Sequence, residues 1–133
     1  MAFWSGWLTV VVIVGAAMIP VFARLRGGTR PSPQGKAMVT HAQLGLAAAG
    51  AAFAHTLLAV TALGSPEAIG GGMLAIVPAA LAIFVLMAHV GIGLQLREAG
   101  LRQRAQKRRL HLGTAVTIVV MVAVHVVALL RGA

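Results

Sequence analysis

The chain has no cysteine, which removes disulfides, thiolate metal sites, iron–sulfur clusters and covalent c-type haem attachment. Compartment therefore cannot be read from thiol usage. Tyrosine is also absent, and only Glu67 and Glu98 oppose eleven Lys and Arg. A net charge of +9 invites a nucleic-acid reading, but such a module needs a soluble basic face and usually aromatic platforms. Here nearly all the basic residues sit in two short loops between apolar runs. Nucleic acid is excluded as a partner. No GxGxxG follows a strand pattern, and no strand pattern is present, so no nucleotide-binding domain is expected. No Asp, Glu, Lys or Arg interrupts the middle of an apolar run. Ion-coupled carriers and proton channels usually need such residues, and they are disfavoured.

What fills the chain instead is apolar. Hydrophobic residues make up 59% and charged residues 10%, against about 25% charged in soluble domains. A chain of 133 residues has room for one domain and could not hide that much apolar surface in water. The expectation is a single all-α domain over residues 1–133, an integral membrane four-helix bundle in contact with lipid. Four runs are long enough to cross the hydrocarbon core, at about 3–23, 37–63, 70–96 and 110–130. The first lacks a basic leader and is too long for a signal peptide, so it reads as a retained helix. Pro20 and Pro78 fall inside runs, where each should kink its helix or lie near an end.

The connections give a direction. Loop 24–36 carries Arg24, Arg26, Arg30 and Lys36. Loop 97–109 carries Arg97, Arg102, Arg104, Lys107, Arg108 and Arg109 against Glu98 alone. The turn near residues 64–72 has Glu67 and no basic residue. Under the positive-inside rule both basic loops are cytoplasmic and both termini lie outside, in a cytoplasmic (inner) membrane. The second and fourth helices then run parallel.

All five histidines lie in the apolar runs or at their ends. A single histidine there is most often hydrogen-bonded to a neighbouring helix. The pattern says more, because His41 and His55 are fourteen residues apart on the second run, and His111 and His125 are fourteen apart on the fourth. Fourteen helical steps fall about 40° short of four turns, so each pair shares a face, with a rise of about 21 Å. On parallel helices His41 meets His111 near the inner side and His55 meets His125 near the outer side. Each couple offers two imidazoles at one depth, as a planar porphyrin iron requires for axial ligation on both faces. Gly45, Ala48, Ala52 and Ala59 on the face of His41 and His55 leave room for a flat macrocycle, although small residues also serve ordinary helix packing. Gly113 stands beside His111, with the bulkier Ile118 and Val122 on the same face. His89 is the ambiguous fifth. It fits a propionate contact, a quinone contact, a substitute ligand or a plain hydrogen bond to a helix carbonyl. Lys36, Arg97, Arg108 and Arg109 stand where propionates would need cations, besides marking topology.

The stretch His41–His55, HAQLGLAAAGAAFAH, and the stretch Arg108–His125, RRLHLGTAVTIVVMVAVH, resemble the paired haem helices of ferric reductase-like transmembrane domains. They are also similar to the two-histidine helices of the cytochrome b superfamily. The resemblance covers about forty residues and rests mainly on spacing. It implies two b-type haems, with His41 and His111 on the inner iron and His55 and His125 on the outer one. It also implies electron transfer across the membrane, with other subunits of a redox complex or a quinone as partners. Those reductase cores usually have more helices, and many carry flavin and nicotinamide domains that have no counterpart here. An electron-transfer subunit without its own catalysis is therefore expected. The rival readings are a pigment-binding subunit and a structural assembly subunit without a cofactor.

Overall fold

A computed structural model describes residues 2–64, 72–98 and 100–132. Its elements are four helices: α1 (Ala2–Gly27), α2 (Lys36–Thr61), α3 (Gly72–Gln95) and α4 (Arg104–Gly132). They hold 26, 26, 24 and 29 residues, about 36–44 Å each at 1.5 Å per residue. All four are long and apolar enough to cross a membrane. The turn residues Ser65 and Pro66 and the acidic Glu67 lie outside the described residues.

Two helix ends differ from the sequence expectation, for one reason. α1 continues past Arg24 to Gly27, and α4 begins at Arg104 rather than at residue 110. Arg, Lys, Gln and Ala are good helix formers, so a helix need not stop where its apolar run stops. α1 ends when Gly28 adopts φ +64°, the left-handed conformation that closes helices and that glycine reaches without Cβ strain. In the α3–α4 connection Gly100 has φ +71° and Gln103 φ +52°. Arg104 ties this turn together. One guanidinium nitrogen donates to the carbonyl of Leu96 at 2.7 Å and the other to the carbonyl of Glu98. Lys107 donates to the side-chain oxygen of Gln95.

The helices alternate in direction. α1 packs closely along α2, α3 closely along α4, and α2 more loosely against α3. α2 and α4 share little backbone contact and meet through their histidine side chains instead. The two basic connections lie at one end of the bundle, the basic end, and both termini lie at the other, the terminal end. The buried residues are few and mostly small: Thr9, Ala16, Ala48, Ala75, Ala82, Leu86 and Ile118. Several recur at intervals of seven (Thr9 and Ala16; Ala75 and Ala82), a seam spacing that keeps one stripe of each helix inward. Large apolar side chains point outward instead, among them Trp4 at 75% exposure and Phe84 at 73%. A water-soluble bundle does the reverse. Apolar surface on this scale is what contact with lipid requires.

Pro20 and Pro78 both lie inside continuous helices. A proline has no N–H to offer the carbonyl four residues earlier, so Pro20 leaves the carbonyl of Ala16 without its helical partner.

Candidate functional site

The histidines gather at two levels. At the basic end, the ring centroids of His41 and His111 are 6.1 Å apart with planes at 87°, and His89 stacks on His111 at 3.8 Å with planes 13° apart. At the terminal end stand His55 of α2 and His125 of α4. Of the expected couples, His41 and His111 are brought into ring contact range, while His55 and His125 lie at the other end of the parallel helices α2 and α4. His89, the ambiguous fifth histidine, joins the basic-end level through its stack on His111. Ala48 and Ile118 lie midway between the histidines of their helices and are 2% and 3% exposed. They close the bundle centre between the two levels.

Hydrogen bonds set the chemistry of the rings. His41 donates from Nδ1 to the carbonyl of Ala16 at 2.8 Å, the carbonyl freed by Pro20. His125 donates from Nδ1 to the carbonyl of Ala75 at 2.8 Å, in the turn of α3 that Pro78 opens. The Ser5 hydroxyl spends its proton on the carbonyl of Ala2 at 2.9 Å, so it accepts from His55 Nδ1, 3.1 Å away. The Thr114 hydroxyl spends its proton on the carbonyls of Leu110 and His111, at 3.1 and 3.0 Å. It therefore accepts from His89 Nδ1 at 2.8 Å. Four imidazoles are in this way held as the Nδ1–H tautomer, which leaves Nε2 with a free lone pair. That is the arrangement of a metal-ligating histidine with its other nitrogen supported. The exception is His111, whose buried Nδ1 has no partner among the described residues.

Two glycines seat the rings. A Cβ at Gly6 would meet His55 Cε1 at 3.1 Å, and one at Gly93 would meet His111 Cε1 at 3.1 Å. The backbones of α1 and α3 approach these imidazoles so closely that a methyl at either glycine would make the ring give by a few tenths of an ångström. The site thus repeats across the two hairpins. α1 gives a glycine to His55 and a carbonyl to His41; α3 gives a glycine to His111 and a carbonyl to His125. Gly45 is half-buried with nothing within 4 Å of where its Cβ would be, so space is open beside it. Gly113 is exposed, likewise with nothing within 4 Å of where its Cβ would be. Lys36, Arg97, Arg108 and Arg109 are exposed around the basic end, whereas Arg104 and Lys107 are engaged in the turn.

The donor set fits a bis-histidine haem. Imidazole is a common axial donor to haem iron, and His41 of α2 and His111 of α4 would offer two, 6.1 Å apart between ring centroids. Among the described residues no group of three or more His, Asp or Glu converges as a caged metal ion would require. Two imidazoles per iron suffice for haem. A cavity of about 510 Å³ opens near the terminal end, between Leu74 of α3 and Val124, Val127 and Arg131 of α4. A smaller one of about 190 Å³, wholly apolar, lies between Val10 and Val14 of α1 and Ile118 and Val122 of α4.

Ser5, Gly6, Ala16, Ala75, Gly93 and Thr114 were not found by sequence reasoning. Only Ala16 carried a signal, its place four residues before Pro20. A scan against protein-family models finds no match to this chain, and searches of curated proteins and of solved structures find none either.

Proposed function

We propose that this chain is a di-haem b-type cytochrome of the cytoplasmic membrane, relaying electrons between its two faces as a subunit of a larger redox assembly. The observation that carries this reading is the pair of histidine levels on parallel α2 and α4, with Nδ1 protons placed on fixed acceptors. His41 and His111 would hold the inner haem, and His55 and His125 the outer one. Haem iron ligated in this way supplies a one-electron couple. The chain supplies the rest: Ala16, Ala75 and Ser5 orient the ligands, Gly6 and Gly93 admit the rings, and the apolar helices keep water from the irons. Arg97, Arg108, Arg109 and Lys36 ring the basic end, where propionates need cationic partners. The positive-inside rule makes that end cytoplasmic and puts the termini outside. A pigment-binding role leaves the pairing at matched depth without a purpose, because a chlorophyll magnesium takes one axial ligand. With such short loops the protein relies on other subunits, or on quinol, as electron donor or acceptor.

The test is the visible spectrum of the purified protein. Dithionite is expected to bring up a sharp b-type α band, and the pyridine assay to return two haems per chain. A preparation that binds no haem when expressed under haem-replete conditions, or that carries chlorophyll, overturns the proposal.

A further inference from the structure

The basic end holds three imidazoles where one iron has two axial positions to fill. His89 and His111 stack with centroids 3.8 Å apart and planes 13° from parallel. That is ring-on-ring contact and leaves no gap for a macrocycle, so the two cannot ligate opposite faces of one haem. The His41 ring lies 6.1 Å from that of His111. Nor do the three rings converge on one point as a three-ligand cage would. His89 and His111 are therefore alternatives.

The hydrogen bonds weigh between them. His89 Nδ1 donates to Thr114 Oγ1 at 2.8 Å, and Thr114 can only accept because its own proton goes to a helix carbonyl. His89 Nε2 is left as a lone pair. His111 is the nearer of the two to His41 by ring contact, but its buried Nδ1 has no hydrogen-bond partner among the described residues, and such support strengthens a ligating histidine. One ring has the position and its neighbour has the support.

Resting on the di-haem reading, we propose that the inner iron can be ligated on this face by either His111 or His89. Exchange breaks one iron–Nε2 bond and forms another. Both imidazoles stay neutral, no proton leaves either ring, and the iron keeps its oxidation state. The inner site would thus have a reserve ligand on α3, whereas the outer site has none.

The experiment compares haem content and low-spin spectra of His111→Ala, His89→Ala, His41→Ala and the His89→Ala/His111→Ala double variant, all purified with haem in excess. The proposal expects two haems per chain, both six-coordinate and low-spin, in each of the His111 and His89 single variants. It expects one haem in the double variant and in His41→Ala. His111→Leu keeps the volume filled and reads the same way if the alanine variant does not accumulate. If His111→Ala or His111→Leu loses the inner haem or turns it high-spin while His89→Ala keeps two, His89 is no ligand and the proposal fails. It fails equally if His89→Ala alone loses the inner haem. A wild-type protein without haem instead overturns the di-haem reading itself, so the two failures are distinct.

Discussion

His41 takes its hydrogen-bond acceptor from Pro20: its Nδ1 donates at 2.8 Å to the carbonyl of Ala16, which has no partner in its own helix because residue 20 lacks an N–H. A helix defect on α1 thus becomes the hydrogen-bond acceptor of a histidine on α2. In an apolar surrounding, satisfying both an exposed carbonyl and an imidazole N–H removes two desolvation costs at once.

Replacing Pro20 by alanine tests this directly. The new N–H competes for the Ala16 carbonyl and leaves His41 unsupported. Loss of the hydrogen-bond partner of a metal-ligating histidine typically weakens metal binding about 10–100-fold. Inner-haem affinity should fall within that range while outer-haem affinity stays unchanged, as read by haem transfer to an apo-acceptor. Equal retention of both haems in Pro20→Ala would show that His41 does not depend on this carbonyl.

The outer level depends on Ser5. Ser5→Ala removes the acceptor 3.1 Å from His55 Nδ1, and Ser5→Thr restores a hydroxyl. The expectation is about tenfold weaker outer-haem retention in the alanine variant, recovery in the threonine variant, and no change at the inner site in either. A loss shared by both haems would mean that α1 packing, not the hydroxyl, had been damaged.

Gly6→Ala and Gly93→Ala put a methyl 3.1 Å from His55 and His111 respectively. The ring or the helix must yield, at an overpacking cost of about 1–3 kcal/mol. Each variant should disturb one haem only, outer for Gly6 and inner for Gly93, seen as a shifted or broadened α band. Gly15→Ala, with nothing within 4 Å of its new methyl, is the control. Indistinguishable spectra for all three variants would argue against imidazoles seated on these glycines.

Pairing by level is testable with the remaining histidines. His55→Ala and His125→Ala should each remove the same outer haem and keep the inner one, because losing an axial ligand also opens an apolar cavity. Depletion of different haems by these two variants would break the parallel arrangement of α2 and α4.

Sidedness can be read with single cysteines, since the chain has none of its own. Ser32→Cys and Ala105→Cys lie at exposed positions in the basic end and should react with a membrane-impermeant maleimide only after the membrane is opened. Gly132→Cys, at the terminal end, should react in intact cells or spheroplasts. Reaction of Ser32→Cys in the intact state would reverse the topology.

The four helices were legible from the sequence because an apolar run of membrane length is a local property that needs no partner to be recognised. His41 with His55 and His111 with His125 were legible for a similar reason: the helical repeat alone puts residues fourteen apart on one face. Charge in the loops supplied the parallel sense that pairs them by depth. The helix ends were less legible, because Arg104 to Arg109 are helical by propensity and carry no apolar signal. What only the tertiary structure decided is which atoms meet across helices. The stacking of His89 on His111, the acceptance by Ser5 and Thr114, and the glycine seats at Gly6 and Gly93 depend on the rotation and offset of neighbouring helices. A shift of one residue turns a helix by 100°, so no spacing within one segment predicts them. Pro20 stands between the two cases: its freed carbonyl could be located in the sequence, but its partner His41 only in the folded bundle.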